Sequence, residues 1–368
     1  MLIKTIKKYL MPTIKIHDFV MPILGTDPEI FIRRNGKIIG SEKIMPKDGI
    51  IYRHGVTYLD AGPHENNVVK DGVQVELHPT QSKCREILAN NIRQCLVLLS
   101  YNMKKFPDTE IDFSPLVEVS RDEMDSLSSD SKQLGCMPSF NIYGEPRQQR
   151  NGEEYLFRSA GGHIHLGDDS TKKLNDLLTN DKELVPLLDV IVGNTCVLID
   201  RDAGNVERRK VYGRAGEYRL PKYGIEYRVL SNFWLRSYPM MSLVMGLARF
   251  AVNVLNSGKK NTKAIMSKVN IEDIRKAINE NDFELAYKNF SKIKKVITEM
   301  VDEEKSFSQY NFPLKSSNLK SFEHFIKMGM DNYFPEKDIL GGWINNGNSG
   351  NGWENFLNNV DNQMKSAK

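Results

Sequence analysis

Residues 159–167 read SAGGHIHLG, and this stretch decides how the rest of the sequence is interpreted. Side chains of an extended strand alternate between its two faces, so His163 and His165 share one face. Ile164 and Leu166 then point the other way, into a core. The preceding glycines let backbone or ligand approach closely. Taken alone, the motif fits a ligand site and a half-buried strand with incidental histidines about equally well.

The composition indicates a folded chain without a strong charge bias. With 368 residues and 40% hydrophobic residues, the sequence is long enough for one large domain or two ordinary ones. Its 51 basic and 47 acidic residues leave a net charge of only +4, which does not favour a nucleic-acid partner. The four cysteines form no CxxC pair, which argues against a zinc ribbon or disulfide scaffold and fits a reducing compartment: Cys84, Cys95, Cys136 and Cys196.

We expect a cytoplasmic protein without a membrane partner. The first twenty residues mix lysines with apolar residues and lack a signal-peptide cleavage site. The most apolar stretch, 184–200, is interrupted by Asp189 and Asn194 and is shorter than the roughly 20 residues that a membrane span requires. It is more typical of a buried helix.

Strand patterns dominate the first half and helical patterns the second. GTDPEIFIRRNGKIIG (25–40) predicts a hairpin turning at Asn35 and Gly36, and VQVELH (73–78) alternates apolar with polar residues. Helical spacing is seen in four segments: 81–106, 185–200, 239–258 and 271–304. The last is split near residues 281 and 282, after a predicted polar linker that begins at Gly258. An Asn/Gly-rich stretch, 345–352, predicts a flexible loop.

These patterns predict three segments. Residues 1–20 form an N-terminal segment, 21–258 a catalytic domain and 259–368 a helical extension used for packing or oligomer contacts. The alternation of charged and aliphatic residues, with amphipathic helices, predicts an α+β fold. Its curved antiparallel sheet would carry the site on the concave face and helices on the outer face.

Charged residues are densest in ERRKVYGRAGEYRLPKYGIEYR (207–228). Its glycines and Pro221 exclude a continuous helix, and Glu226 and Arg228 share one strand face. A solvated face with incidental ion pairs is the alternative explanation. The segment contains these arginines and glutamates: Arg208, Arg209, Arg214, Arg219, Arg228, Glu207, Glu217 and Glu226.

Three glutamates, Glu29, Glu76 and Glu226, lie in strand-like stretches that otherwise suit a core. A buried charge costs several kcal/mol unless it is paired or bound to metal. With the two histidines, these carboxylates would suit Mg²⁺ or Mn²⁺. The nearby arginines would hold nucleotide phosphates, because a guanidinium matches phosphate oxygens in pairs.

Six motifs follow one another in a family-specific order: GTDPE, VELH, GCMPSFN, AGGHIHLG, RRKVYGRAGEYR and YGIEYRVLSNFWL. Over about 24–235 the sequence resembles the phage-associated COOH-NH2 ligase type 2 family, which looks like a distant branch of the glutamine synthetase and glutamate-cysteine ligase superfamily. The resemblance implies that superfamily's curved-sheet architecture, with ATP and Mg²⁺ or Mn²⁺ as cofactors.

The resemblance also implies residue roles. GGHIH is similar to a strand in which the first histidine, here His163, binds metal and the second, His165, lies near ATP phosphate. GIEYR resembles a strand that supplies a metal ligand, Glu226, and a phosphate or substrate contact, Arg228. Arg208 or Arg209, together with Arg219, would fall at the nucleotide-phosphate arginines, and Glu29 and Glu76 would supply the remaining metal carboxylates. Arg214, in the same charged segment, is a further candidate for nucleotide binding.

The sequence departs from the superfamily pattern at two places. Asp27 and Glu29 flank a proline where the superfamily has a paired ExE, and Ser139 stands where an acidic residue is expected. Two candidates remain for the general base that receives the amine proton, Glu217 and Asp27.

The leading hypothesis is an ATP-dependent carboxylate-amine ligase. ATP would phosphorylate the acid, and the amine would displace phosphate from the acyl phosphate to form an amide. The substrates would be a small carboxylate and a small amine, or a peptide or protein acceptor; assembly as a homo-oligomer stays open. Three alternatives also stay open: a phosphagen-kinase-like phosphotransferase, a metal-dependent hydrolase, and a non-catalytic phage structural or nucleic-acid-binding protein.

Overall fold

The computed structural model describes residues 20–54, 64–133, 139–145, 151–168, 172–302, 322–323, 326–327 and 343. Its strands are β1 Ile23–Gly25, β2 Glu29–Arg34, β3 Lys37–Ile39, β4 Ile50–His54, β5 His64–Asp71, β6 Gln74–His78, β7 Thr109–Asp112, β8 Leu116–Glu118, β9 Phe140–Asn141, β10 Phe157–Ser159, β11 Ile164–Gly167, β12 Glu217–Arg219 and β13 Gly224–Tyr227. Its α-helices are α1 Arg85–Met103, α2 Arg121–Ser126, α3 Ser129–Lys132, α4 Lys172–Leu178, α5 Asp181–Leu188, α6 Asn194–Val197, α7 Gly204–Val211, α8 Tyr238–Asn256, α9 Lys259–Met266, α10 Ile271–Asn279 and α11 Phe283–Asp302.

The strands form antiparallel sheets. A five-stranded sheet has the order β1-β11-β13-β12-β9, and a six-stranded sheet has the order β3-β2-β6-β5-β4 with β7 paired to β2. A separate pair joins β8 and β10. The chain passes from one large sheet to the other between β1 and β2, at residues 26–28. The predicted mixture of antiparallel sheets and helices is confirmed, whereas the curved superfamily sheet stays a prediction.

Two strand predictions are confirmed in detail. The β2–β3 hairpin turns at Asn35 and Gly36, whose φ angles are 50° and 74°. Asparagine and glycine tolerate this left-handed region better than other residues, which is why the pair makes a tight hairpin. In β6, Val75 and Leu77 are buried while Gln74 and Glu76 are partly exposed.

The core lies on one face of the five-stranded sheet. Leu24, Leu166 and Ile225 stand opposite one another on β1, β11 and β13, and all three are fully buried. Helices α4 and α5 pack on β11 and β13, and α8 packs on α1, α4 and α5. By length and composition α8 could cross a membrane, but 89% of its apolar window is buried inside the protein. Its apolar character is therefore explained by its position in the core.

The predicted apolar helix over 185–200 is present with one irregularity. Helix α5 continues through a π-helical turn, Asp189–Gly193, into α6. Asp189 is fully buried in that turn and accepts hydrogen bonds from the hydroxyls of Tyr143 and Tyr227 at 2.8 and 2.7 Å. An ionisable residue is thus accommodated inside an apolar helix by two tyrosine donors.

The predicted polar linker after Gly258 is wrong, because α9 begins at Lys259. Gly258, with a φ of 98°, ends the preceding helix, and Ile265 anchors α9 in the core. The predicted split in the last helical segment is confirmed between α10 and α11. Apolar residues of α9, α10 and α11 belong to the same hydrophobic cluster as the sheet. The domain boundary at 258 stays a prediction, and the 345–352 loop lies outside the described residues.

Candidate active site

A polar row crosses the five-stranded sheet. Gly25, His165, Glu226 and Arg219 stand opposite one another on β1, β11, β13 and β12. Directly paired residues of antiparallel strands point to the same face of a sheet. The row therefore lies on the face opposite the apolar row of the core. This face brings together residues from distant parts of the sequence.

Four side chains on this face form a preassembled group. Asp27, His163, His165 and Glu226 each offer one ligand atom, and these atoms all lie within 4.8 Å of one another. The Oδ1 atom of Asp27 lies 2.8 Å from Nδ1 of His163 and 3.1 Å from Nε2 of His165. Nδ1 of His163 is also 3.5 Å from Oε1 of Glu226. We call these four residues the ligand cluster.

The donor set fits a divalent cation. Nε2 of His165 is buried and lies 3.1 Å from Asp27 Oδ1, but in poor hydrogen-bond geometry. A buried polar atom without a well-directed partner is costly, and a bound cation would satisfy it. Two imidazoles and two carboxylates suit Mn²⁺ better than Mg²⁺, which prefers oxygen ligands.

His163 is held in the form that binds metal. Burial, together with the charge of Arg228, lowers the pKa of His163 to about 4, so the ring is neutral at pH 7. Its Nε2 atom hydrogen-bonds to the hydroxyl of Tyr212, which also accepts a hydrogen bond from Nη2 of Arg228 at 3.1 Å. Outer hydrogen bonds of this kind fix the orientation of a ligating imidazole. The sequence analysis did not identify Tyr212, because no local pattern distinguishes it from the other tyrosines of its segment.

One flank of the ligand cluster is positively charged. Nη1 of Arg228 donates to Oε1 of Glu226, and Nη1 of Arg219 lies 3.6 Å from Oε2 of the same carboxylate. The Arg228 side chain is buried, whereas the Arg219 side chain is 27% exposed. Two guanidinium groups beside a potential metal site suit an anionic ligand such as a phosphate.

Residues 150–324 match the family model of phage phiEco32-like COOH.NH2 ligase-type 2. The family resemblance is thereby confirmed, although its extent differs from the expected 24–235. The match covers the histidine strand and the arginine-rich segment, and it leaves Asp27 outside. No curated protein and no solved structure gives a significant match. The family name describes a carboxylate-amine ligase, whereas placement in the wider superfamily stays a prediction.

Within the part that matches the ligase family, Arg208 has a structural position. It is fully buried, and its guanidinium donates to three backbone carbonyls, those of Ala160, Val229 and Leu230. Every nitrogen of the group is occupied by these contacts. These contacts do not favour a phosphate role, which stays a prediction for Arg208.

Arg209 contacts the turn between α10 and α11, and Arg214 lies near a carboxylate that also pairs with α10. Arg209 is 4% exposed, donates to Oδ1 of Asn281 at 2.8 Å, and has its pKa lowered to about 10 by burial and by Arg208. Nη1 of Arg214 lies 3.5 Å from Oε2 of Glu145, a carboxylate that also pairs with a residue of α10. The predicted phosphate role of both arginines therefore lacks support from their contacts.

Glu29 and Glu76 face each other across β2 and β6, in the other large sheet. Neither belongs to the ligand cluster, so their metal role stays a prediction. Glu29 is 2% exposed and accepts a hydrogen bond from the Gly161 amide at 2.7 Å. Burial, reinforced by the charges of Asp71 and Glu76, raises its pKa well above the ordinary value. Glu29 thus binds the glycine pair that precedes His163.

The two candidate bases occupy different environments. Glu217 is 3% exposed, and its Oε2 accepts a hydrogen bond from the Gly213 amide at 3.0 Å. Asp27, by contrast, lines a cavity beside the ligand cluster. Burial raises its pKa, but the two histidines outweigh that effect and hold the pKa well below the ordinary value. Asp27 is therefore ionised at neutral pH.

Proposed function

We propose that the protein is an ATP-dependent carboxylate-amine ligase that forms an amide through an acyl phosphate. The observation that carries this proposal is the ligand cluster with Arg219 and Arg228 on one flank. Transfer of a phosphoryl group between anions depends mainly on positioning and on neutralising charge. A cation site next to two guanidinium groups provides both, and the family name agrees with the chemistry.

Each residue of the site has a separate role in the proposed reaction. Asp27, His163, His165 and Glu226 would hold Mn²⁺ or Mg²⁺, which when bound neutralises negative charge on the phosphates. Arg219, the more exposed of the two arginines, would contact the phosphate chain or the acid. Arg228 holds Glu226 and Tyr212 in place and adds positive charge.

In the proposed reaction, an oxygen of the substrate carboxylate attacks the terminal phosphorus of ATP, and the bond to the β-phosphate oxygen breaks to release ADP. The neutral amine nitrogen then attacks the acyl carbon, the bond to phosphate breaks, and the proton lost by the nitrogen leaves with the released phosphate. Asp27 is a poor acceptor for this proton because its pKa is lowered. Its charge serves instead to hold the two histidines.

The test is product analysis with purified full-length protein. The protein is incubated with ATP, Mn²⁺ or Mg²⁺, a pool of carboxylic acids and hydroxylamine, and ADP, AMP and hydroxamates are measured by mass spectrometry. ADP with a matching hydroxamate, lost in Glu226→Gln, would support the ligase. ADP with a stable phosphorylated product would favour the phosphotransferase, and hydrolysis that needs no ATP would favour the metal-dependent hydrolase. AMP in place of ADP would contradict the acyl-phosphate route.

A further inference from the structure

The two flanks of the ligand cluster differ in charge. One carries Arg219 and Arg228. The other opens into a cavity of about 370 Å³ whose described lining contains no lysine or arginine. The lining residues are Ile23, Gly25, Thr26, Asp27, His78, Pro79, Gln81, His165, Gly167, Asp168 and Tyr223. The described lining thus contains two aspartates, of which Asp27 belongs to the ligand cluster, and no lysine or arginine.

An aromatic face and a carboxylate meet in this cavity. The Tyr223 ring stacks on the His165 ring, with 5.6 Å between centroids and 29° between planes, and it is 40% exposed. The amide of Asp168 donates to the carbonyl of Tyr223 at 3.0 Å, which fixes the two residues side by side. An aromatic face next to a carboxylate attracts an organic cation through both the ring and the charge.

We infer that this cavity binds the amine substrate as a primary ammonium ion on a short apolar chain. The ammonium would lie between Asp168 and Tyr223, and the chain would lie against Ile23 and Pro79. An acid or a phosphate would face the Asp168 carboxylate here and is better placed on the arginine flank. The assignment of the cation as a substrate rests on the proposed function, and Asp168 and Tyr223 are its specificity residues.

Gly25, in the wall of the cavity, is a suitable position for a substitution that reduces the cavity volume. A Cβ atom added at Gly25 would lie 3.4 Å from Cβ of Gln81 and 3.4 Å from Cβ of His165, which is at the edge of ordinary contact. Gly25 is not one of the residues with a positive φ, so alanine is compatible with the backbone there. Gly25→Ala would therefore narrow the cavity while the strand is preserved.

The test is binding of three probes of equal chain length to the full-length protein without ATP. The probes are n-butylammonium, butyrate and n-butanol, and their dissociation constants are measured by calorimetry or saturation-transfer NMR. We expect butylammonium to bind most tightly. Asp168→Asn should weaken it ~10-fold by loss of a charge-assisted hydrogen bond, and Tyr223→Leu ~3-fold by loss of the aromatic face. Gly25→Ala should weaken it with no change in melting temperature.

The matched control is Asp176→Asn, which removes an exposed carboxylate on α4 and should change nothing. Equal binding of butyrate and butylammonium, or equal behaviour of Asp168→Asn and Asp176→Asn, would overturn the inference. Selective butylammonium binding without any ADP formation would contradict the proposed ligase while keeping the cation cavity. Formation of ADP and hydroxamate, with butyrate and butylammonium bound equally well, would support the ligase and contradict the cation cavity.

Discussion

Nδ1 of His163 lies 2.8 Å from Oδ1 of Asp27, although the two residues are 136 positions apart in the chain. Backbone contacts hold their segments together. The Thr26 hydroxyl donates to the His163 carbonyl at 2.6 Å, and the Glu29 amide donates to the Gly161 carbonyl at 2.9 Å. The connection between the two large sheets is thereby fixed against the histidine strand. The ligand cluster is consequently assembled by the fold before any cation binds.

Asp27→Asn should weaken Mn²⁺ binding at least ~10-fold, because it removes a charged ligand from the cluster. Glu76→Gln should have a much smaller effect, since Glu76 lies outside the cluster. Manganese titration followed by electron paramagnetic resonance measures both. Comparison of the two variants therefore tests whether the metal is held by the ligand cluster or by Glu29 and Glu76. A large loss of Mn²⁺ affinity in Glu76→Gln, with none in Asp27→Asn, would place the metal at Glu29 and Glu76 instead.

Arg208→Met should reduce the stability of the protein, whereas Arg219→Lys should reduce its affinity for nucleotide. Arg208→Met removes a donor from three buried carbonyls, of which only that of Leu230 keeps another described donor, the Gly162 amide, and it should lower the free energy of unfolding by ~3 kcal/mol or more. Arg219→Lys keeps the positive charge of a partly exposed pair and should cost under ~1 kcal/mol. It should instead weaken nucleotide binding, because lysine cannot form a bidentate contact.

Chemical denaturation and a fluorescent-nucleotide titration measure these two effects on each variant. Normal stability of Arg208→Met with reduced nucleotide affinity would restore the phosphate role that the sequence predicts for Arg208. Unchanged nucleotide affinity of Arg219→Lys would remove Arg219 from the site.

Asp189 should make the protein less stable as pH rises. Burial raises its pKa from 3.8 to about 7, against the opposing effect of the tyrosine hydrogen bonds. Between these two values the unfolded chain has lost a proton that the folded chain keeps. Each pH unit in that interval therefore costs up to about 1.4 kcal/mol of stability, and the loss is complete above pH 7.

The measurement is urea denaturation at pH 5 and pH 8 for wild type and Asp189→Asn. Asparagine cannot ionise, so the decrease in unfolding free energy between the two pH values should be smaller in the variant. The comparison uses this decrease rather than absolute stability, because the substitution also changes the contacts with Tyr143 and Tyr227. Parallel pH profiles would show that Asp189 does not titrate in this interval.

Local patterns predicted the elements because they depend on neighbouring residues. The Asn35–Gly36 turn and the alternation in β6 follow from backbone conformation and strand period, and both are present. The linker prediction failed because lysines and asparagines are common on exposed helix faces. Only the burial of Ile265 shows that 259–266 packs as a helix.

The site was harder to predict because it depends on long-range contacts. Asp27 belongs to the ligand cluster only because the chain crosses between sheets beside His163, and it lies outside the family match. Sequence also cannot separate an arginine that binds a ligand from one that holds carbonyls, since both look alike in a charged segment. Arg208, whose guanidinium donates to backbone carbonyls, illustrates the second case, whereas Arg219 is the proposed example of the first.

The C-terminal end of α10 should influence the site through the loop that follows α7. Oδ1 of Asn279 accepts a hydrogen bond from the Ala215 amide at 2.8 Å, close in sequence to Tyr212, which contacts His163. Asn279→Ala should lower the free energy of unfolding by ~1 kcal/mol. It should also weaken Mn²⁺ binding, because a displaced loop loosens the hydrogen bond that orients the His163 ring.

Glu280→Gln is the matched control, since Glu280 is an exposed neighbour at the end of the same helix. Calorimetric melting and manganese titration are performed on both variants. If Asn279→Ala melts earlier but binds Mn²⁺ as tightly as Glu280→Gln, the C-terminal helices support only the fold. If Mn²⁺ affinity falls in Asn279→Ala alone, residues beyond 258 help to shape the site, and the predicted division between a catalytic domain and a helical extension does not describe how the protein works.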